Sequence, residues 1–466
     1  MPSRAAHPLI RLLASSLAAW LGLLTPRPAL AQQEHLTTPG HLEGRPAHAS
    51  PLQARVDAAA AGSTLTVEPG TYEGDLLLDK PIRLVGMGRP RLVGSRDGSV
   101  VRVRGADVTI DGFDIDGREG GDIGRDSAGI HVYAPRATIR GCRISGSIFG
   151  VYLRGADAVA VEDSEIRGIP AKDPGEKGSG IHVWNTTGFR FERNLIVDVR
   201  DGFYIQSSSH GTIRGNVARD LRYGLHYMFS DDNLFEDNTF ENGAAGTALM
   251  YSRRIVFRRN RFIRNRGFAS VGLLFKACDD VLAEDNLIAD NARGIFLEGS
   301  YRNVFRRNVV ALSDAAIVLY DSSGENRFEG NSFVGNLTPL TLVGRRTDTV
   351  FDGNYWSEND EPDLDGDGRS DRPYRLTSVF DHFRGNLTAA DLMSQGFAAA
   401  ALAAAEETFP VLRVVPVEDH SPLVRPPAVP SVPRPDPRST AANARGLLAA
   451  LGALGWGAAV MLRGRP

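Results

Sequence analysis

Residues 202–238 read GFYIQSSSHGTIRGNVARDLRYGLHYMFSDDNLFEDN, and this stretch contains the same pattern twice. Gly202 and Gly224 each precede an alternating run of apolar side chains, while Asn216 and Asn238 each follow a short segment with an apolar centre. Both pairs are separated by 22 residues. A repeat of about this length without a leucine-rich consensus is typical of a parallel β-helix, in which each coil contributes a few short strands.

The asparagine position recurs on both sides of this stretch. Its members are Cys142, Ser164, Asn194, Asn216, Asn238, Asn260, Asn286, Asn308, Asn331 and Asn354. The spacings of 30 and 26 residues among steps of 22 or 23 place insertions within residues 168–178 and 264–268. We expect the asparagines to stack at a turn, where each amide bonds the next coil, and to take no part in catalysis.

Charges alternate two residues before the asparagine position. The residues are Glu192, Arg214, Glu236, Arg258, Glu284, Arg306 and Glu329. Because adjacent coils of a β-helix lie about 4.8 Å apart, these side chains are expected to form a column of opposite-charge neighbours. Such a column mainly fixes the register of the coils.

The glycine position defines which side chains point inward. Its members are Gly129, Gly150, Gly180, Gly202, Gly224, Gly246, Gly272, Gly294 and Ala316. The first and third residues after it are almost all apolar or aromatic, so a period of two points them into the coil. The chain is therefore predicted to be an all-β protein, a parallel β-helix over residues 51–385. Short helices are expected to cap it, at Leu52–Ala61 before the first coil and within residues 386–409 after the last.

The two ends of the chain carry signs of export and of a membrane. Residues 1–31 combine a basic start, an apolar run and a small-residue cleavage pattern, which indicates a secretory signal peptide and, in a bacterium, a periplasmic protein. Residues 32–50 follow as an N-terminal extension. A proline-rich linker, residues 410–445, leads to an apolar run, residues 446–463, which predicts a short anchor in the inner membrane. The alternative for that run is a docking helix.

The composition excludes several classes of protein. A hydrophobic content of 42% in 466 residues is too high for a disordered chain, and a net charge of -3 argues against nucleic acid as a partner. Two cysteines are too few for a disulfide scaffold or a four-thiolate zinc site. Cys142 and Cys278 lie five to six coils apart, roughly 25 Å, so we expect no bond between them.

Outward positions of the glycine repeat concentrate histidine, methionine and aromatic side chains on one face. We select as a partner- or copper-binding face His131, His182, Trp184, Tyr204, His226, Met228 and Met250. Such residues are unusual on a solvated surface, so we expect the face to be exposed and to bind a partner. Met228 and Met250 lie one coil apart near His226, and thioethers with imidazole suit transient Cu(I) binding. The alternative is a protein-docking patch that needs no metal.

An aspartate-rich tract follows the last coil. Its acidic residues are Asp363, Asp365, Asp367 and Asp371. Their spacing resembles the start of a calcium loop, although Tyr374 stands where a bidentate glutamate would be expected. The tract therefore predicts a calcium site at the end of the β-helix, and the alternative is a tight acidic turn without an ion.

Parallel β-helices also include polysaccharide lyases, hydrolases and epimerases. Asp201, Asp231, Asp232 and Arg154 are the candidates for such chemistry. No pair of carboxylates is expected to face outward on adjacent coils beside the histidines, where sugar chemistry would need an acid and a base. The face is therefore predicted to bind rather than to catalyse, with a carbohydrate-active enzyme as the alternative.

Three further tracts stand apart from a generic β-helix repeat. They are YGLHYMFS at residues 223–230 followed by Asp232-Asn233, NYW at residues 354–356 leading through the aspartates to RPY, and SPLVRP at residues 421–426. Together they resemble the NosD family, periplasmic maturation factors of nitrous oxide reductase, over the mature chain to about residue 426.

The resemblance implies a right-handed β-helix that is not itself an enzyme. It also implies several partners: an ABC transporter with a membrane subunit and a cytoplasmic ATPase, a copper chaperone lipoprotein, and apo nitrous oxide reductase. These proteins together assemble the copper centres of the reductase, an enzyme of denitrification.

Overall fold

The computed structural model describes residues 46–173, 175–267, 270–377 and 417–427. The predicted signal peptide, C-terminal cap helix and apolar C-terminal run lie outside these residues, as do most of the N-terminal extension and of the proline-rich linker. Within the described ranges, none of the helices has the length and apolar character needed to cross a bilayer.

Helix α1, Leu52–Ala58, covers the first coil. Its buried residues Leu52 and Val56 belong to the main core, which confirms the predicted N-terminal cap. The Gln53 side chain accepts from the Leu77 N–H at 2.8 Å and donates to the Leu77 carbonyl at 3.0 Å. The amide thus pairs with exposed backbone groups at the edge of the coil, as another strand would.

The strands, numbered along the chain, stack into three ladders, which are parallel except for one antiparallel pair at the C-terminal end of the first. The first ladder contains β1 (Thr64–Val67), β4 (Arg83–Gly86), β7 (Thr109–Asp111), β10 (Thr138–Arg140), β13 (Ala160–Glu162), β16 (Arg190–Glu192), β19 (Thr212–Arg214), β21 (Leu234–Glu236), β23 (Val256–Arg258), β26 (Leu282–Glu284), β29 (Val304–Arg306), β32 (Arg327–Glu329) and β35 (Val350–Asp352), and it ends with β38 (Glu418–Asp419) and β37 (Tyr374–Arg375). The second ladder contains β2 (Thr71–Glu73), β5 (Arg91–Val93), β8 (Asp114–Asp116), β11 (Arg143–Ser145), β14 (Glu165–Arg167), β17 (Leu195–Val197), β24 (Arg261–Ile263), β27 (Leu287–Ala289), β30 (Val309–Ala311), β33 (Ser332–Val334) and β36 (Tyr355–Trp356).

The third ladder presents the face that the glycine repeat predicts. It contains β3 (Leu76–Leu78), β6 (Val101–Val103), β9 (Ala128–Val132), β12 (Phe149–Arg154), β15 (Ser179–Trp184), β18 (Asp201–Gln206), β25 (Val271–Asp279), β28 (Arg293–Glu298), β31 (Ala315–Tyr320) and β34 (Leu340–Val343). Two long strands, β20 (Val217–Met228) and β22 (Thr239–Arg253), run through the second and third ladders and join them. A short 3-10 helix, Ile123–Arg125, lies in the segment before β9. The result is the predicted parallel β-helix, with the core inside the coils.

Side chains alternate as the period of two predicts. The first and third residues after every glycine position, from Ile130 and Val132 to Ile317 and Leu319, are fully buried. They form one core that runs through the stacked coils from α1 to Trp356. Because the inward positions are filled, the side chains between them must lie on the outside of the third ladder.

The asparagines form a hydrogen-bonded column, as predicted. Asn238 is typical: its Oδ1 accepts from the Asn216 amide at 2.9 Å, and its Nδ2 donates to the Asn260 amide at 3.0 Å and to the Ile213 carbonyl at 2.8 Å. The same amide-to-amide bond links each neighbour from Asn194 to Asn354. We call this set, Asn194 to Asn354, the asparagine column.

The column of alternating charge is also present over its central coils. Arg214 contacts Glu236 at 2.6 Å, and Glu284 lies between Arg258 at 2.5 Å and Arg306 at 2.7 Å. These pairs join coils that are neighbours in the first ladder, where opposite charges favour the observed register.

The C-terminal segment closes the end of the asparagine column. The fully buried Asp419 carboxylate accepts from the backbone N–H groups of Gly353 and Asn354, at 3.1 and 3.0 Å, and from the Asn354 side chain at 2.8 Å. It also accepts from the Trp356 indole at 3.0 Å and the Ser421 N–H at 3.2 Å. A residue distant in sequence therefore takes the place of the next asparagine.

Candidate functional site

Six aromatic and imidazole rings stack along the outer face of the third ladder. In order they are Tyr133, His131, Tyr152, His182, Tyr204 and His226. Neighbouring ring centroids lie 4.1 to 4.8 Å apart, and the planes are within 38° of parallel except at His226, which meets Tyr204 at 83°. We call these six residues the ring column. The column arises because the second residue after each glycine is the register partner of the equivalent residue in the next coil.

The expectation that this face is exposed is wrong for its first part. His131 is only 2% exposed and Tyr204 only 5%, and Tyr152 is also buried. The rings cover one another, and Tyr152 also packs with Phe149, Ile148 and Ile169 in a small apolar cluster outside the main core. Ile169 belongs to the insertion at residues 168–178, so the long coil predicted from the spacing contributes the cover.

Burial determines the charge state of the two covered histidines. Loss of solvent, together with nearby positive charge, lowers the pKa of His131 and of His182 to about 3. His131 Nδ1 lies 3.1 Å from the Tyr133 hydroxyl, but among the described residues neither His131 Nε2 nor His182 Nδ1 has a hydrogen-bond partner. Both imidazoles are therefore neutral at physiological pH and incompletely bonded.

His226, at the other end of the column, is bonded differently. Its Nδ1 lies 3.3 Å from Oδ2 of Asp201, a fully buried carboxylate that Arg222 holds with two hydrogen bonds of 2.9 and 2.7 Å. Burial by itself raises the pKa of Asp201, but the bonds and charges of His226 and Arg222 outweigh it and lower that pKa to about 2. Asp201 is thus ionised beside an imidazole that is 11% exposed.

Two methionines and two aromatic residues continue the face beyond His226. Met228 and Met250 are half-buried register partners in β20 and β22, and each is followed by an exposed ring, Phe229 or Tyr251. The two rings are parallel within 9°, with centroids 5.1 Å apart. We call these four residues the methionine–aromatic patch.

Phe229 and Tyr251 were not selected from the sequence, although a signal was available. Both have positive φ, 50° and 54°, a conformation that costs a bulky residue about 1 kcal/mol or more. The same turn position in other coils is occupied by small or turn-forming residues, namely Gly155, Asn185, Ser207, Ala277 and Gly299. Two large exposed rings therefore stand at a position that is strained for bulky side chains.

The donor set suits Cu(I). His226 and Met228 lie two residues apart in β20, on the outward side, and Met250 is the partner of Met228 one strand away. Neutral nitrogen and thioether sulfur are soft donors that suit monovalent copper. Trp184, also half-buried, lies under the Arg154 guanidinium, 4.9 Å from its ring centroid, and flanks the ring column.

The predicted calcium ligands come together only in part. One carboxylate oxygen from each of Asp363, Asp365 and Asp367 lies within 4.8 Å of the others, while Asp371 instead accepts from the Leu364 N–H at 2.5 Å. The same loop contacts the C-terminal segment, since Arg369 donates to the Ser421 hydroxyl at 2.6 Å. Calcium binding here stays a prediction.

The other candidate acids are held by hydrogen bonds, and the two cysteines are buried. Asp232 is held by two hydrogen bonds from Arg254, and Asp231 accepts from the Arg253 N–H at 2.8 Å. Both cysteines are buried and unpaired, and burial raises the pKa of Cys142 to about 11 and that of Cys278 to about 12. The predicted absence of a disulfide is confirmed.

Comparison with known proteins adds two kinds of likeness. Residues 168–362 match a family model described as periplasmic copper-binding protein (NosD), and residues 95–230 match one described as right handed beta helix region. The chain is 29% identical, over 76% of its length and 85% of the relative, to a protein of Stutzerimonas stutzeri named probable ABC transporter binding protein NosD. A protein of the same name from Pseudomonas aeruginosa is also 29% identical, over 84% of this chain and 94% of its own.

Solved structures support the fold alone. The A-module of the mannuronan C-5 epimerase AlgE6 from Azotobacter vinelandii superposes with a TM-score of 0.55 at 17% identity, covering 64% of this chain and 93% of the module. The family 28 exopolygalacturonase of Yersinia enterocolitica gives a TM-score of 0.50 at 10% identity, covering 67% of this chain and 75% of the enzyme.

Proposed function

The chain belongs to the NosD family, and from this membership we propose that it is a periplasmic accessory protein for the maturation of nitrous oxide reductase. Relatives named as ABC transporter binding proteins support an ABC transporter, with its membrane subunit and ATPase, as a partner. The family description supports a periplasmic location and contact with copper. Export by residues 1–31 and anchoring by residues 446–463 belong to the same proposal.

The methionine–aromatic patch beside His226 is the observation that carries this proposal. Its two sulfurs and the His226 imidazole supply three donors for Cu(I), which we treat as cargo, and its two exposed rings are available to a protein partner. We assign the patch and Trp184 to docking of the copper chaperone or the apo-reductase. The covered residues His131, His182 and Tyr204 then support this surface from below rather than touching the partner.

In this scheme the ABC transporter supplies the energy. ATP hydrolysis in the transporter drives a conformational change, and the β-helix transmits it because its coils are cross-linked by the asparagine column and the charge column. The chain itself performs no chemistry, in agreement with the relatives that are named as binding proteins.

A competition titration tests the copper part. Replacing both sulfurs, in a Met228→Leu, Met250→Leu protein, keeps the side-chain volume and should weaken Cu(I) binding at least about tenfold, or about 1.4 kcal/mol. Met87→Leu, at an exposed methionine in a distant turn, is the matched control and should leave the affinity unchanged. An unchanged affinity in the double variant would remove the copper site.

Site-specific photo-cross-linking tests the docking part. A cross-linker placed at Tyr251 should capture the copper chaperone or the apo-reductase, and one placed at exposed Arg327, in the first ladder, should not. Capture only from the first ladder would contradict the proposed surface.

A carbohydrate-active enzyme is the second candidate, because Asp201, His226, Arg222 and Tyr223 bring an acid, an imidazole, a guanidinium and a phenol together. Against it, both Asp201 oxygens are already bonded to Arg222, and no second acid flanks the imidazole among the described residues. Incubation with uronic acid polymers tests this candidate: unsaturated products, new reducing ends or a changed ratio of epimers would favour the enzyme, and the absence of all three the accessory protein.

A further inference from the structure

The structure assigns Asp201 as a positioning residue for His226, an inference that rests on the proposed function. We propose that Asp201 holds the imidazole in the tautomer with its proton on Nδ1, which leaves the lone pair on Nε2 to bind Cu(I) together with Met228 and Met250.

The first step is the contact between the two side chains. Asp201 is fully buried, and its Oδ2 lies 3.3 Å from His226 Nδ1. An ionised carboxylate has only acceptor sites, so the nitrogen facing it carries the proton. Arg222 Nη2 also lies 3.4 Å from the same nitrogen, but the carboxylate oxygen is nearer, at 3.3 Å, and it is charged, so it decides which ring nitrogen carries the proton.

The second step is that Asp201 is itself fixed. Arg222 bonds both of its oxygens, and the Arg222 guanidinium lies over the Tyr223 ring, 4.3 Å from the centroid. The imidazole is held as well, because Tyr204 and Tyr223 both meet it edge to face, at 4.8 and 5.4 Å. A side chain held on three sides keeps one orientation before any ion arrives.

The third step is the contrast with the rest of the ring column. His182 has no partner for Nδ1 among the described residues, and the Nδ1 of His131 faces a tyrosine hydroxyl and a serine hydroxyl. Asp201 is also the single acid at the position that precedes the glycine in these coils. The residues there are Ala128, Phe149, Ser179, Asp201, Tyr223, Ala245, Val271, Arg293 and Ala315.

The chemical consequence follows from the way histidine binds metals. A ligating imidazole usually donates its other N–H to a carboxylate, which fixes the tautomer and strengthens the ligand. Arg222 bonds Asp201, and Arg200 Nε lies 3.4 Å from the same carboxylate, so the site adds no net negative charge that would attract divalent ions. This arrangement, with two thioethers, favours monovalent copper.

Nitrogen NMR of the metal-free, histidine-labelled protein tests the inference, with His226→Gln to identify the signal. The wild-type spectrum should show His226 protonated on Nδ1. Asp201→Asn should move the population toward the Nε2-protonated form and weaken Cu(I) binding about 10- to 100-fold. Asp232→Asn, which breaks an arginine pair of the same kind in a neighbouring turn, should change neither result.

The outcomes separate this inference from the proposed function. Wild-type His226 protonated on Nε2 overturns it without any variant, so poor folding of Asp201→Asn cannot protect it. An unchanged tautomer in a folded Asp201→Asn protein overturns it as well. A third outcome is that the tautomers are as expected but substitution of Met228, Met250 and His226 leaves the Cu(I) affinity unchanged. That result would keep the positioning role and remove the copper function.

Discussion

The asparagine column and the ring column are built by the same repeat and serve different ends. Both repeat from coil to coil, although His131 and Tyr133 share one coil, and the asparagines are buried while the rings are buried or half-buried. Every asparagine amide from Asn194 to Asn331 bonds the next coil, whereas two imidazoles of the ring column keep a nitrogen without a partner among the described residues. The first column extends over most of the coils, and the second is confined to five of them.

The difference separates a structural repeat from a functional one. A position that keeps one residue type and satisfies all of its hydrogen bonds stabilises the fold. The ring position changes between imidazole and phenol and leaves buried polar atoms without hydrogen bonds. Unbonded buried polar atoms lower the stability of the fold, which a purely structural position would avoid. Four predictions test this separation, from the largest effect to the smallest.

Removing one asparagine should have the largest effect. Asn238→Ala loses four side-chain hydrogen bonds and leaves their buried partners unsatisfied, so the free energy of unfolding should fall by roughly 3–5 kcal/mol in a denaturant titration. Asn242→Gly, at an exposed asparagine four residues later whose φ of 55° glycine also adopts, is the control and should cost less than about 1 kcal/mol. Equal losses would mean that the column contributes no special stability.

Low pH should lower the free energy of unfolding through the two histidines of the ring column whose pKa is depressed. Unfolded histidines bind a proton near pH 6.5, whereas the folded pKa of His131 and His182 is about 3, so stability is complete above pH 6.5 and falls as the pH drops toward 3. Between pH 6 and 5, before the carboxylates titrate, each histidine should cost up to about 1.4 kcal/mol per pH unit.

Two ring-preserving variants check this slope. His131→Phe removes one of the two titrating imidazoles and should reduce the dependence of the free energy of unfolding on pH. Tyr152→Phe keeps both imidazoles and the stack and should leave that dependence unchanged. An equal slope in all three proteins would show that His131 does not titrate as its burial implies.

Calcium should act at the C-terminal end of the asparagine column. If Asp363, Asp365 and Asp367 bind the ion, a calcium concentration ten times the Kd should add about 1.4 kcal/mol, seen as a rise in Tm. The rise should vanish in Asp363→Asn, Asp365→Asn and persist in Asp360→Asn, whose side chain is outside the cluster. No rise in the wild type at any concentration would favour a turn without an ion.

The smallest change in stability is expected at Phe229. In Phe229→Asn, relief of the positive φ and loss of stacking on Tyr251 oppose each other, so unfolding should change by less than about 1 kcal/mol. Affinity for the copper chaperone should nevertheless fall at least about tenfold. Asn185→Ser, at the same turn position in another coil, should alter neither quantity, and an unaltered affinity in Phe229→Asn would remove Phe229 from the docking surface.

The fold is predictable from the sequence because each repeated position has the same local geometry in every coil. The spacing of Asn216 and Asn238 predicts both the coil and the hydrogen bonds of the column, and the residues after Gly224 predict which side chains are inside. A further column was visible and missed: Ser208, Ser230 and Ser252 bond from coil to coil through N–H to hydroxyl contacts of 3.0 Å.

The site was predicted less well because its contacts do not repeat. The burial of Tyr152 depends on an insertion whose path the spacing does not give, and the bond between Asp201 and His226 joins positions of different phase in two coils. Asp419 stands 65 residues from its partner Asn354, and no periodicity connects them.

The Asp419 carboxylate determines when the C-terminal end of the asparagine column is completed. Each coil pairs with its neighbours in sequence, so most of the β-helix contains no contact that requires residue 419. The last coil at Asn354 is incomplete until Asp419 arrives, because among the described residues Asp419 is the acceptor that the Asn354 backbone N–H bonds. A shortened protein that stops before residue 419 would leave this terminus open, and further chains would be able to add there edge to edge.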